Sequence, residues 1–193
     1  MYGPGDVGFF DRLAPLYDQL MPTARSGPIR EALERADRDV ARLLDVAGGS
    51  GRGALAAGVS DPVVVDAAAG MCRRARERGL AAVRGDAGRL PVADAAVDAV
   101  LVVDAFHHLP DSRAALGEAR RVLRPGGVLV VRDFDPGTVR GRAVAAAEGL
   151  VGFDSTFLRP DELAARVDRA GLDARVLHRG FGYTVVGRKR ESL

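Results

Sequence analysis

At 193 residues, with 47% apolar and 28% charged content, the chain excludes a disordered or fibrous protein and has enough material for one sizeable core. A formal charge of +2 excludes any argument for nucleic acid from charge alone, even though the sequence pI is near 9.1. A single cysteine, Cys72, excludes an internal disulfide, and no Cys/His spacing suggests structural zinc, so no metal is expected. The opening residues lack a basic-then-apolar leader, and no apolar run approaches the roughly 18 residues of a membrane span, which makes a cytoplasmic location the expectation.

Phe9/Phe10, Leu13, Leu16/Tyr17 and Leu20 recur at helical spacing, with Pro15 able to break or kink the helix. A second amphipathic segment follows Pro28, with Ile29, Leu33, Ala36 and Val40 on one side. The two segments are expected to form an N-terminal helical cap (1–40) on a core (41–193), all within one domain. A first strand over 43–46 carries Asp45 and runs into Ala47-Gly48-Gly49-Ser50-Gly51, where the lack of side chains lets backbone N–H groups approach a ligand before a short helix over 52–57. Gly49, Gly51 and Ala54 also satisfy the dinucleotide pattern, so the loop by itself leaves the cofactor open.

The second strand, 63–66, closes on Asp66, placed close to the ~20-residue interval at which a nucleotide-binding βαβ unit offers an acid to a ribose diol. A basic helix over 69–78 turns Met71, Cys72 and Ala75 inward and stops at Gly79, and a third strand over 80–84 leads to Gly85-Asp86-Ala87. Its arginines Arg73, Arg74, Arg76 and Arg78 read as a solvent face rather than an RNA contact, and Cys72 reads as core. Val97–Val103 is a buried strand interrupted by Asp98, expected to be solvated, and closed by Asp104, with Phe106-His107-His108-Leu109-Pro110 behind it. Asp111 or Ser112 caps a helix with Leu116, Ala119, Val122 and Leu123 on one face, and Pro125-Gly126-Gly127 turns the chain into the strand 128–131. Residues 136–158 are less regular, with a helix candidate over 144–150; Pro160 opens the last helix and Gly171 ends it. Two final strands, 174–178 and 183–187, pair antiparallel. This alternation predicts an α/β fold: a Rossmann-like, doubly wound seven-stranded sheet, mostly parallel with an antiparallel last strand, helices on both faces and the ligand at the carboxyl edge.

The order of motifs resembles the class I S-adenosylmethionine-dependent methyltransferases, and within them the ubiquinone/menaquinone biosynthesis C-methyltransferase type with its type 11 methyltransferase domain. The residues carrying the resemblance are Phe10 to Asp18, Leu44 to Gly51, Val65-Asp66 with Met71, Gly85-Asp86-Ala87 with Leu90-Pro91, His107 to Asp111, and Arg121 to Gly127. It implies S-adenosyl-L-methionine as cofactor and S-adenosyl-L-homocysteine as product. By resemblance Asp45, Ala47, Gly48, Gly49, Ser50 and Gly51 take the amino-acid end, with backbone N–H groups on its carboxylate. Asp66 takes the diol, with Ala67 and Met71 in the same set; Asp86 and Ala87 take the adenine; Asp104 borders the methionyl part; and Tyr17 closes over it from the N-terminal helix.

Transfer by in-line displacement needs alignment more than nucleophiles, and alignment is worth about 7–11 kcal/mol in well-oriented systems. A base matters only where the acceptor loses a proton. His107 and His108 are the catalytic candidates, with Asp133 and Asp135 near the same edge, while the reading of the two histidines as a turn that shapes the pocket floor is the favoured one. The stretch 136–158 is shorter than in typical quinone methyltransferases, so a quinone acceptor is not carried over, and Ala67-Ala68-Ala69-Gly70 replaces a more polar turn. The expected partner is a small-molecule acceptor methylated on carbon, oxygen or nitrogen, with nucleic acid not expected and a homodimer left open. The alternatives are a non-catalytic donor-binding regulatory protein and an NAD(P)-dependent reductase.

Overall fold

A computed structural model describes residues 7–12, 14 and 24–190. Within them seven strands form one sheet in the order β3-β2-β1-β4-β5-β7-β6, where β1 is Arg42–Val46, β2 Asp61–Asp66, β3 Ala81–Arg84, β4 Val97–Val103, β5 Leu123–Phe134, β6 Asp173–His178 and β7 Gly182–Arg188. The strands β1 to β5 pair parallel, and β7 alone runs against its neighbours β5 and β6. This is the expected doubly wound sheet with its antiparallel last strand.

Side-chain alternation explains the two helix layers. Leu44, Val65, Val100, Val102, Leu129 and Val131 point to one face and bury against Leu116, Ala119 and Val122 of α4 (Ser112–Val122) and Leu163 and Val167 of α6 (Pro160–Arg169). Leu43, Ala99, Leu101, Val128 and Val130 point to the other, against Ile29, Ala32 and Leu33 of α1 (Ser26–Leu33) and Ala57 of α2 (Arg52–Ala57). On that same side Val64 and Ala82 pack with Cys72 and Ala75 of α3 (Ala69–Glu77), so Cys72 is core. Helix α5 (Val139–Val151) is longer at both ends than the expected 144–150. Thr138 caps it by accepting the Gly141 N–H, and Gly152 ends it in the left-handed region.

Asp98 corrects an expectation, because it is buried rather than solvated. Its Oδ2 accepts the backbone N–H groups of Ala41 (3.2 Å) and Arg42 (2.9 Å), while its Oδ1 meets Arg38 Nε and Arg124 Nη1, both at 2.9 Å. Burial alone would raise this carboxyl, but the hydrogen bonds from Arg42, Arg124 and Ala41 outweigh it and hold it below the usual carboxylate range. The arginines of α3 also depart in part from a plain solvent face: Arg76 donates to Ala82 O and Arg78 to the Ser50 hydroxyl.

Candidate active site

The strand order reverses between β1 and β4, and a cavity opens at their carboxyl ends, where doubly wound sheets take their ligands. The end of β1 contributes Asp45, Ala47, Gly48 and Gly49, followed by Arg52 and Gly53 at the start of α2. The end of β2 contributes Asp66, Ala67 and, one helical turn on, Met71; the end of β4 contributes Asp104, and the turn after it His108. Val7 and Phe10 of the N-terminal helical residues close the space from above. That helix is tied to α3 by the Gly70 N–H, which donates to Asp11 Oδ1 at 2.6 Å, and by the packing of Ala14 on Ala68 and Met71.

Asp45 is fully buried at the cavity wall. Its Oδ2 accepts the Ala54 N–H at 2.8 Å, whereas Oδ1 is buried with no hydrogen-bond partner. Burial drives its pKa up to about 7, and the charge of Asp66 adds to the rise against the Ala54 N–H and Arg52. The glycines beside it are there for space. A Cβ at Gly48 would lie 2.6 Å from Asp45 Cγ, and one at Gly53 would lie 3.0 Å from Oδ2.

Asp66 joins two loops. Its Oδ2 accepts the Gly49 N–H and its Oδ1 the Ala68 N–H, each at 2.8 Å, so the turn after β1 and the turn after β2 share one carboxylate. Burial raises its pKa despite those two N–H groups. Asp104 is raised to about 6, first by burial and then by Asp133, with Arg132 and Arg52 opposing. Ala47 (φ 52°) and Asp104 (φ 51°) both hold left-handed backbone without being glycine, a conformation that costs on the order of 1–3 kcal/mol and gathers at functional sites.

The far end of the cavity is aromatic and imidazole-lined. Phe10 stacks with Phe153 (centroids 5.5 Å apart), and His108 meets both edge-on, at 5.3 and 5.2 Å. His107 lies behind, buried and stacked on Phe157 at 4.3 Å, and it does not line the cavity. Its Nδ1 lies 2.6 Å from Asp133 Oδ1 and its Nε2 3.3 Å from Glu148 Oε1. Burial opposes a charge on this ring, yet Asp133 and Glu148 together hold its pKa up at about 10. Burial and the neighbouring His107 push His108 the other way, to about 4.

Residues 44–131 match the model of a methyltransferase domain family. The demethylmenaquinone methyltransferase of Beutenbergia cavernae is 38% identical over 169 residues, covering 81% of this chain and 68% of that one. The chain belongs to the class I S-adenosylmethionine-dependent methyltransferases. The malonyl-[acyl-carrier protein] O-methyltransferase of Methylococcus capsulatus is 35% identical, over 73% of this chain and 57% of that one. A SAM-dependent methyltransferase from Thermotoga maritima shares the fold at 22% identity, with a TM-score of 0.76 over 95% of this chain and 99% of that chain.

Membership in this family sets the reductase and non-catalytic alternatives aside and makes S-adenosylmethionine the cofactor. The residues of this methyltransferase fit that molecule, because a buried, unpartnered carboxylate oxygen on Asp45 awaits a cation and glycines leave the room around it. Of the anticipated set, the cavity brings together Asp45, Ala47, Gly48, Gly49, Asp66, Ala67, Met71, Asp104 and His108. Ser50 and Gly51 lie behind the lining, where a Cβ at Gly51 would run into Leu80. Asp86 sits exposed past β3 accepting the Gly88 N–H, Ala87 is buried in the main core, and Tyr17 falls outside the described residues. The Gly49 and Gly51 N–H groups, expected for a ligand carboxylate, are taken by Asp66 and by Gly48 O. Sequence reasoning missed Arg52, Gly53 and Val7 as lining residues. Arg52 had a usable signal: the first helical position after a ligand loop puts its side chain at the carboxyl edge.

Proposed function

We propose that the methyl donor lies along the carboxyl edge with its amino-acid end between Asp45 and Arg52 and its ribose on Asp66. The observation that carries this reading is the unpartnered Oδ1 of Asp45, buried in the wall of the cavity. A buried carboxylate at such a place is stabilised by a cationic group, which the α-ammonium is. Arg52, the cation on the same wall, replaces the backbone N–H groups as the partner for the α-carboxylate. Asp66 retains a lone pair on each oxygen for a ribose hydroxyl while its other lone pairs hold the two loops. Met71 then faces the adenine, and Asp86, exposed past the end of β3 and outside the cavity lining, is the proposed partner of its amino group.

When bound, the donor supplies an electrophilic methyl group on a sulfonium, already activated for displacement. The protein aligns the acceptor and keeps out water, and Val7, Leu109 and Phe10, the last backed by Phe153, make that side apolar. This wall, together with the name of the Beutenbergia relative, supports a small acceptor with a flat apolar ring, such as a quinol. His108 is the imidazole next to that space, with Ser155 on its Nδ1.

The test is calorimetry with S-adenosylhomocysteine, then S-adenosylhomocysteine release on a panel of naphthoquinols, phenols and acyclic carboxylates. Binding weakened about 10-fold or more in Asp45→Asn supports the placement; unchanged affinity sinks it. Turnover confined to the acyclic carboxylates would overturn the acceptor class.

A further inference from the structure

The acceptor end of the cavity carries a cluster that the methyl-donor site does not use. His107 Nε2 lies 3.3 Å and His108 Nε2 3.9 Å from the same atom, Glu148 Oε1, and the three atoms all fall within 4.8 Å of one another. A tetrahedral ion with bonds of about 2.0–2.1 Å spaces its ligands about 3.3–3.4 Å apart, so one edge is already in place and the others need only a small closure.

Proximity alone would be a common ion pair; the outer partners distinguish this cluster. Asp133 Oδ1 sits 2.6 Å from His107 Nδ1 and holds a proton there, so Nε2, turned to the cluster, is the nitrogen whose proton an ion would replace. The Ser155 hydroxyl donates its one hydrogen to Glu148 Oε2 at 2.5 Å, so at His108 Nδ1, 3.1 Å away, it accepts. That choice again puts the proton on Nδ1, with Nε2 the nitrogen on the side of Glu148. In both rings the outer partner therefore engages Nδ1 and leaves Nε2 on the side of the cluster, and the carboxylate is oriented by the same serine. The rings of Phe157, Phe10 and Phe153 pack around the imidazoles and keep the place dry.

The geometry points to a divalent metal site of the zinc class formed by His107 Nε2, His108 Nε2 and Glu148 Oε1, with Asp133 and Ser155 as its orienting partners. Two imidazoles and one carboxylate suit a borderline ion such as Zn2+ rather than Mg2+ or Ca2+. Three protein ligands keep a fourth position. Because His108 also lines the donor cavity, that position would take an oxygen of the methyl acceptor and hold it in place. Only this acceptor role rests on the placement of the donor proposed above; the metal site stands without it, against the sequence-based expectation of no metal.

The test uses the full chain without an affinity tag, stripped by chelator and titrated with Zn2+ by calorimetry, with Co2+ as a visible-spectrum reporter of ligand geometry. One ion per chain with submicromolar affinity and tetrahedral cobalt bands is expected. Glu148→Gln should weaken binding at least about 100-fold and Ser155→Ala about 10-fold, the loss typical of an outer partner. His178→Ala, which removes the only histidine outside the cluster, should leave it unchanged. Should Glu148→Gln fail to melt cooperatively, His108→Gln takes its place on the same criterion. Absence of one-to-one binding, or an affinity that Glu148→Gln leaves intact or His178→Ala abolishes, overturns the site.

Discussion

Asp45 holds a charge where charge is costly, and it does so without a partner for one of its oxygens. Its pKa, raised to about 7, makes donor binding a function of pH. The ammonium needs the carboxylate form, so affinity should rise with pH through about 7. S-adenosylhomocysteine titrations from pH 6 to 8 should show this rise in the native chain and a flat profile in Asp45→Asn. In the free protein the sign for stability is opposite. A carboxyl whose folded pKa lies above its unfolded value of 3.8 binds more protons when folded, so stability falls as pH climbs from about 4 to 7. Asp66 makes a different prediction, because it links the turns after β1 and β2 through Gly49 and Ala68. Asp66→Ala removes two charge-assisted bonds, each worth about 1.5–3 kcal/mol, and should lower donor affinity by 100-fold or roughly that. Asp66→Asn, which keeps one acceptor oxygen, should lose less, and equal losses in calorimetry would argue against the bridging role.

At the scale of elements, Asp98 binds the entry of β1 to the start of β4 and the bulged start of β5. Its four partners come from residues 38, 41, 42 and 124. Asp98→Ala would strand the Ala41 and Arg42 N–H groups and take one partner from each of two guanidinium groups, and should cost about 3 kcal/mol by urea denaturation. With its folded pKa held low, Asp98 stabilises fully above the unfolded value and loses that contribution as pH falls through the folded one. The variant should therefore show a flatter acid limb in its stability profile. The strands themselves were legible in the sequence, since a parallel sheet covered on both faces demands continuous β-branched runs such as Val63-Val64-Val65. The burial of Asp98 was not, because Arg38 and Arg124 come to it from opposite sides in sequence and only the register of β4 beside β5 assembles them. The same holds for the cluster of His107, His108 and Glu148: the histidines lie in the turn after β4, the glutamate in the last turn of α5, and no local spacing links them. That helix was underestimated although Thr138 and Gly152, its cap residues, stand in plain view.

Over the whole molecule, the carboxylates Asp45, Asp66 and Asp104 gather along one rim because parallel strands end on the same edge of the sheet, and the switch between β1 and β4 opens the crevice between them. Ligand binding should therefore draw together the ends of β1, β2 and β4, which lie at the centre of the sheet rather than at its margin. A ligand that binds only the folded state adds RT ln(1 + [L]/Kd), about 2.7 kcal/mol at 100 times Kd. For a chain of this length each kcal/mol raises Tm by about 2–4 °C, so S-adenosylhomocysteine at that concentration should raise it by roughly 5–10 °C. NAD should leave Tm unmoved, since the rim presents carboxylates where a pyrophosphate would need donors, and the Gly49 N–H is already held by Asp66. In Asp45→Asn the shift from S-adenosylhomocysteine should shrink to the extent that its Kd rises, at an unchanged melting cooperativity. A full shift in that variant, or an equal one with NAD, would mean that the ligand is gripped somewhere other than along this rim.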